Sequence, residues 1–224
     1  MKEFLEKLKN DIEFNGSKSY QLFSLIKKMY PKAKAVSDNR IKELKEVLVE
    51  SSGFYTFPDL VQGLTRNTNI LITDKEYRRS TAIFPSESEF QQMIVHQNLL
   101  SEIFRIEGVL DQHKLRGANG IVDFIGVKNK QITIIEIKKD SSYYGIEQLL
   151  RYNGILKQNK ELSNIIKENK WYADFKMILI TAIEDPKLHF VFNGMVKEQR
   201  KHFQWFIYDY DGKDKLEFIE IEIN

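Results

Sequence analysis

A chain of 224 residues, of which 42% are hydrophobic and 29% charged, is long enough to bury one sizeable core, or one core with a smaller appended module. It has no cysteine, which excludes disulfide bonds and thiolate-bound zinc or iron–sulfur clusters and fits a reducing cytoplasm. No stretch approaches the roughly 20 apolar residues of a membrane span, so we expect no membrane partner. The net charge of +2 gives no general indication of a nucleic-acid partner.

The first eighty residues predict a helical module. Apolar residues recur there at helical spacing in three segments. Pro31 separates the second segment from the third, and Ser37 or Asp38 is suited to cap the third. The three segments are 4–12, 20–29 and 41–48.

The rest of this module is less regular. A further helix is expected to begin in segment 56–60, before a strand-like run at 70–72. Basic residues surround the third helix, which leaves three roles open: binding DNA, regulation, or simply a solvated face. These basic residues are Lys32, Lys34, Arg40 and Lys42.

From Pro85 onward the pattern becomes that of an α/β domain, residues 86–224. Ser86 is suited to cap a helix that buries Phe90 and Ile94. The order of the elements that follow predicts a mixed central sheet flanked by helices. These elements are strands 121–128 and 131–138 joined by a tight turn at Asn129-Lys130, helices 145–157 and 159–169, a buried strand 177–181, a helix beginning at Asp185-Pro186, and a C-terminal hairpin with its turn at Asp211-Gly212.

Two of these helices have predicted packing faces. For helix 145–157 the expected face is Ile146, Leu149, Leu150 and Leu156. For the helix that follows Asp185 it is Leu188, Val191, Phe192, Met195 and Val196.

The motif Glu136-Ile137-Lys138 needs its context to be informative, because an acid is followed two residues later by lysine at six places in the chain. Only Glu136 ends a strongly apolar strand and has a second carboxylate, Asp123, on the neighbouring strand. Because side chains alternate along a strand, Glu136 and Lys138 should project to the same side. The sequence therefore predicts two carboxylates and an ammonium group at one point on the sheet.

This combination has a chemical use. Carboxylates, with a backbone carbonyl such as that of Ile137, suit Mg²⁺ or Mn²⁺, which keep waters for a substrate phosphate. A lysine beside them can orient the attacking water or stabilise charge on the transferring phosphoryl group. The alternative is an exposed acidic pair neutralised by lysine on an ordinary hairpin.

The segment 120–156 resembles the catalytic segment of NucS-type endonucleases, members of the PD-(D/E)XK superfamily. The resemblance implies a restriction-endonuclease-like core, with Gln148 and Tyr152 one helical turn apart and lining the active site. Surface hydrogen bonding and core packing are the alternative roles for these two residues. The shared motifs are Gly120-x-x-Asp123, Glu136-x-Lys138 and Glu147-Gln148-Leu149-x-Arg151-Tyr152.

A further acidic residue in this family comes from the helix before the first catalytic strand. Ser86-x-x-Glu89 fits a capping box, which gives Glu89 a structural role. Glu87 lies closer to the buried stripe, and segment 87–91 resembles the family's Glu-x-x-Leu-Gln. We therefore expect Glu87 as an additional metal ligand, with Glu89 as the alternative.

Two arginines are candidates for binding nucleic acid. Arg116 lies in the loop before Asp123, where an arginine contacts phosphate or is simply solvated. Arg151 either binds nucleic acid or pairs with Glu147 at (i, i+4). The histidines lack metal-ligand spacing and are expected to be surface or packing residues; they are His96, His113, His189 and His202.

The leading hypothesis is a DNA endonuclease that hydrolyses phosphodiester bonds with Mg²⁺ or Mn²⁺. One alternative is a site-specific restriction or defence nuclease in which residues 1–80 read sequence or sense a signal. Another is a binding protein whose nuclease-like core does not cleave. NucS-type enzymes begin with a β-rich DNA-binding domain, so the expected helical module here does not carry over mismatch specificity. RNA as a substrate and a homodimer stay open.

Overall fold

The computed structural model describes residues 1–114, 121–139 and 143–223. The chain divides into two compact units, Met1–Glu76 and Tyr77–Asn224. This division lies shortly before Pro85, where the sequence pattern changes. Across the described ranges, no helix combines the length and the apolar character needed to cross a bilayer.

The N-terminal unit packs helices against a three-stranded antiparallel sheet of order β1-β3-β2. Its core is apolar and includes Leu8, Ile26, Leu44 and Ile72, all fully or almost fully buried. The elements are α1 (Lys2–Asn15), β1 (Ser17–Gln21), α2 (Leu22–Met29), α3 (Asp38–Lys45), a π-helical segment (Glu46–Ser51), β2 (Tyr55–Phe57) and β3 (Asn69–Thr73).

This unit contains more strand than the sequence pattern indicates. Strand β1 is Ser-Lys-Ser-Tyr-Gln, in which Tyr20 is the one apolar residue, so it shows no alternation. Its backbone pairs along the whole of β3, which supplies the hydrogen bonds that an isolated polar segment lacks. The helix expected in segment 56–60 is wrong, because Tyr55–Phe57 pairs with β3 and Pro58 follows.

The C-terminal unit contains a six-stranded mixed sheet of order β4-β5-β6-β7-β8-β9. Strands β6, β7 and β8 are parallel, and the other neighbouring pairs are antiparallel. The prediction of a mixed sheet flanked by helices is confirmed. The elements are α4 (Glu87–His96), α5 (Leu99–Glu102), β4 (Glu107–Lys114), β5 (Ile121–Lys128), β6 (Gln131–Ile137), α6 (Tyr144–Gln158), α7 (Lys160–Glu168), β7 (Tyr172–Thr181), α8 (Pro186–Gly194), α9 (Lys197–Arg200), β8 (Phe203–Tyr210) and β9 (Leu216–Ile221).

The β5–β6 hairpin fixes the register of the central strands. Asn129 and Lys130 both have positive φ, 50° and 62°, as a two-residue hairpin turn requires. Beyond the hairpin, β6 runs parallel to β7 with Ile137 beside Ile180. The carboxyl ends of the central strands β6 and β7 therefore lie next to each other.

Apolar layers cover both faces of this sheet. Ile134 and Leu179 belong to the layer that contains α6 and α8, whereas Ile135 and Ile178 belong to the layer that contains α4 and α5. Each fully buried side chain of this kind contributes about 1.5–3 kcal/mol to stability. The catalytic candidates thus lie on strands that are held from both sides.

Three predicted packing residues and one strand differ from expectation. Leu150 is 37% exposed, because Tyr152 takes its place on the buried face of α6. Val191 and Val196 are exposed, since α8 buries Leu188 and Phe192 and ends before Val196. Strand β4 is absent from the predicted elements; it is an edge strand with a register shift against β5.

Candidate active site

Asp123 lies where β5 and β6 separate. The regular pairing of these strands ends at Phe124 and Ile135. Just beyond it, Asp123 Oδ2 accepts a hydrogen bond from the backbone N–H of Ile137 at 2.8 Å. The carboxylate thereby takes the place of a backbone acceptor, which holds it in a buried position between the strands.

Glu136 and Lys138 project together from the carboxyl end of β6, as predicted. Lys138 Nζ donates to Glu136 Oε1 at 2.7 Å and lies 3.5 Å from Glu87 Oε2 on α4. Glu136 is only 1% exposed, and Lys138 is also buried. The structure therefore brings Asp123, Glu136, Lys138 and Glu87 into one cluster.

Gln91 is a member of this cluster to which the sequence analysis gave no role. Its Nε2 donates to Asp123 Oδ1 at 2.6 Å, and the side chain is buried. Gln91 follows Glu87 by four residues, so both lie on the same face of α4. The four-residue spacing could have identified Gln91 as a site residue, because a polar residue one helical turn after the predicted ligand Glu87 faces the same site.

Glu89 lies outside the cluster. Its backbone N–H donates to Ser86 Oγ at 3.1 Å, which is the N-cap predicted for α4, and its side chain is exposed. Glu87 is 40% exposed and directed at Lys138. Of the two acids that were weighed, the geometry brings Glu87 to the site.

The electrostatics of the cluster are unusual for carboxylates. Burial raises the pKa of Asp123 to about 6, against the opposing effects of the Ile137 hydrogen bond and Lys138. Burial, and then the charge of Asp123, raise the pKa of Glu136 to about 8. Burial alone would lower the pKa of Lys138, but Glu136, Asp123 and Glu87 together raise it. Lys138 and the hydrogen bonds therefore offset only part of the cost of burying the two carboxylates.

One atom indicates where a cation would fit. Glu136 Oε2 is buried and has no hydrogen-bond partner within residues 1–114, 121–139 and 143–223. In the described part of the chain no group of three acidic, histidine or cysteine side chains converges to hold a metal ion, so an ion at this place would have the two carboxylates of Asp123 and Glu136 as its side-chain donors. Mg²⁺ is commonly bound by one or two carboxylates together with waters and substrate phosphate. The residues present fit such an ion.

Helix α6 begins directly against the site. A Cβ atom added at Gly145 would lie 2.5 Å from Leu179 Cδ1, 3.5 Å from Lys138 Cγ and 3.7 Å from Glu136 Cγ. The lack of a side chain at Gly145 is therefore what allows the first turn of α6 to approach β6 and β7 so closely.

Tyr152 and Gln148 are connected to the site through the backbone of β5. Tyr152 is fully buried, and its hydroxyl donates to the carbonyl oxygen of Ile121, two residues before Asp123, at 3.0 Å. The half-buried Gln148 places its Nε2 3.5 Å from the Tyr152 hydroxyl. In this structure Tyr152 is a core residue that anchors the start of β5.

The predicted nucleic-acid contacts have different outcomes. Arg151 is exposed on α6, with its guanidinium carbon 5.2 Å from the centroid of the Tyr152 ring. Arg116 lies outside the described residues. At the site, the backbone N–H of Ile137 donates a hydrogen bond to Asp123. A role for the carbonyl oxygen of Ile137 in metal binding remains a prediction.

A second pair of buried acids follows β7. Glu184 Oε2 accepts from the backbone N–H of Arg78 at 3.1 Å, and Glu184 Oε1 lies 2.9 Å from His189 Nε2. Asp185 Oδ1 accepts from the N–H of Lys187 at 2.8 Å and caps α8, as its sequence context predicted. Through these hydrogen bonds, the two acids connect the backbone at Arg78 and the start of α8 to the segment that follows β7.

Two solved structures are similar to this chain. One is the crystal structure of a repair endonuclease from Pyrococcus abyssi, at 23% identity over 50% of this chain and 42% of that chain, with a TM-score of 0.29. The other is the structure of an EndoMS-dsDNA2 complex, at 22% identity with the same coverages and the same TM-score. The chain spans less than half the length of either protein. No protein-family model and no curated protein matches it.

Proposed function

We propose that this chain is a metal-dependent endonuclease that hydrolyses phosphodiester bonds. One observation carries the proposal: two buried carboxylates and a lysine meet where β5 and β6 separate, and one oxygen of Glu136 has no partner among the described residues. A buried acid without a full set of partners is costly to a protein that does not use it. A divalent cation would offset that cost.

In this proposal Asp123 and Glu136 hold Mg²⁺ or Mn²⁺, with the carbonyl of Ile137 as a further donor. The bound ion would polarise a phosphoryl oxygen and lower the pKa of a bound water. Glu87 would act on the ion indirectly, through Lys138 or through a water, since its carboxylate lies beside the ammonium group of Lys138. Gln91 keeps Asp123 in position by donating to Oδ1, the oxygen that Ile137 does not use.

Lys138 has a separate role. Its ammonium group stays charged, because the surrounding acids raise its pKa. It is tied to Glu136 and can donate further hydrogen bonds to an attacking water or to a non-bridging phosphate oxygen. A fixed cation at that place stabilises the negative charge that develops during hydrolysis. Tyr152 supports the arrangement by fixing Ile121 at the start of β5.

DNA is the substrate that the sequence resemblance implies, and the same hydrolytic chemistry applies to RNA. The test is to incubate the purified chain with labelled single-stranded, duplex, branched and mismatched DNA and with single-stranded RNA, in Mg²⁺, Mn²⁺ or EDTA. An Asp123→Ala/Glu136→Ala variant purified in the same way controls for contaminating nucleases. We expect cleavage by the native chain with either metal and none in EDTA. Lack of metal-dependent cleavage on every substrate would leave a binding protein instead.

A further inference from the structure

Two adjacent tyrosines at the start of α6 expose their rings. Tyr143 is 43% exposed and Tyr144 is 56% exposed. Their ring centroids are 4.3 Å apart and the ring planes differ by 27°, which is a stacked arrangement. The two residues, here called the tyrosine pair, form a small aromatic surface that faces solvent.

The tyrosine pair lies next to the acidic cluster. Tyr143 is the N-cap of α6 and Tyr144 its first residue, followed at once by Gly145. Gly145 is the residue whose absent side chain brings the helix against Lys138 and Glu136. Consecutive Cα atoms are about 3.8 Å apart. The backbone of Tyr143 and Tyr144 is therefore one or two residues from Gly145, which lies against Lys138 and Glu136.

The chemistry of this surface suits a nucleobase better than a phosphate. The first turn of α6 carries an acid, Glu147, and it is exposed. An acid at that place repels phosphate, whereas tyrosine rings stack on the π-face of any base. In a duplex the base faces are covered by neighbouring pairs, so only an unpaired nucleotide offers one.

We propose that the tyrosine pair stacks on an unpaired nucleobase next to the bond that is cut. This inference rests on the proposed nuclease function for its biological meaning. The binding that it describes is a property of Tyr143 and Tyr144 and can be measured without cleavage.

The experiment measures binding of fluorescent oligonucleotides by anisotropy in EDTA. The probes are a single-stranded DNA, the same strand with a run of abasic sites, and the matching duplex. The variants are Tyr143→Ala/Tyr144→Ala and Tyr143→Phe/Tyr144→Phe. The control is Tyr172→Ala, because Tyr172 is 65% exposed at the first residue of β7, at the far end of the parallel strands. Circular dichroism and thermal melting establish that each variant is folded.

The double alanine variant should bind the base-containing single strand about tenfold or more weakly, the range expected for loss of base stacking. Its affinity for the abasic strand and for the duplex should stay within about twofold of the native protein. The double phenylalanine variant should keep native affinity, since it retains both rings, and Tyr172→Ala should have no effect.

An equal loss on base-containing and abasic strands would overturn the inference, as would an equal loss with Tyr172→Ala, or a native chain that does not bind single-stranded DNA. The two proposals fail separately. A native chain that binds bases through the tyrosine pair but cleaves nothing keeps this inference and rejects the nuclease. A metal-dependent nuclease whose double alanine variant binds like the native chain rejects this inference alone.

Discussion

Two pairs of buried acids lie at the carboxyl ends of neighbouring parallel strands. Asp123 and Glu136 gather at the end of β6, and Glu184 and Asp185 follow the end of β7. Burial is similar in the two pairs, with exposures of 8% and 1% for the first pair and 4% and 3% for the second. Burial alone therefore does not tell a functional acid from a structural one.

Hydrogen bonding separates the two pairs. Both oxygens of Glu184 have partners, Arg78 and His189, and Asp185 caps a helix. Glu136 has one oxygen on Lys138 and one with no partner in the part of the chain that the structure describes. Asp123 also has a protein donor on each oxygen, so the difference between the pairs lies at Glu136, whose buried oxygen without a partner is suited to a ligand. Each prediction below tests this distinction.

The largest effect is expected from removing either carboxylate of the first pair. Asp123→Ala or Glu136→Ala deletes a donor to the ion, and the loss of several kcal/mol of transition-state stabilisation corresponds to a rate loss of about a thousandfold or more. Calorimetric titration with Mn²⁺ should show weakened binding in parallel. Glu184→Ala is the matched control and should cleave normally per folded molecule; normal cleavage by Asp123→Ala would reject the assignment.

Lys138→Ala should separate catalysis from metal binding. The variant loses the cation that stabilises developing charge, which we expect to slow cleavage about a hundredfold. It should still bind Mn²⁺, and at least as tightly, because a competing positive charge next to Glu136 is gone. Native cleavage rates, or loss of Mn²⁺ binding equal to that of Glu136→Ala, would show that Lys138 has a structural role.

Most of the first pair's surroundings could be predicted from local sequence. The turn at Asn129-Lys130 fixes the hairpin, and alternation along β6 puts Glu136 and Lys138 on one side. Ser86 starts α4 at the right residue to bring Glu87 to Lys138. Strong local signals of this kind survive into the folded chain because they agree with its tertiary packing.

What could not be predicted depends on contacts between distant segments. The Gln91–Asp123 hydrogen bond joins residues 32 positions apart; the spacing from Glu87 puts Gln91 on the same face of α4 but does not identify Asp123 as its partner. The buried face of α6 includes Tyr152 and not Leu150, and the hydroxyl of Tyr152 donates a hydrogen bond to the carbonyl oxygen of Ile121 on β5. Strand β1 has no apolar alternation and forms because β3 supplies its backbone partners.

The second pair should be important for stability rather than for catalysis. Glu184→Ala leaves the N–H of Arg78 and the ring of His189 without their acceptor, at a cost of about 1–3 kcal/mol. Thermal unfolding should show a lower Tm, by about 2–4 °C for each kcal/mol in a chain of this size. Glu136→Gln in EDTA should not lower the Tm in this way, because only one oxygen of Glu136 has a hydrogen-bond partner among the described residues. A Glu184→Ala variant with native Tm and reduced cleavage would reverse the roles given to the two pairs.

The smallest expected effect is a change in stability with pH, and we expect it for Glu136 of the first pair. Because the folded chain raises the pKa of Glu136 from 4.5 to about 8, the metal-free folded state binds a proton there that the unfolded state has released. The stability that this proton contributes is present below about pH 4.5 and is lost as the pH rises to about 8.

Glu136→Gln removes that loss, so in EDTA the variant should be more stable than the native chain above about pH 8, by about 1 kcal/mol or more, and similar to it near pH 5. Glu184→Gln should give no such gain in stability. Glu184 uses both carboxylate oxygens as hydrogen-bond acceptors, whereas a glutamine side chain has only one acceptor oxygen. Mn²⁺ should then stabilise the native chain and not Glu136→Gln, since only the native chain binds it tightly. Thermal melts of the three proteins across this pH range check the prediction. If Glu136→Gln shows no gain at high pH, then the cluster already neutralises Glu136, and the physical reason for expecting a metal ion beside its unpartnered oxygen is lost.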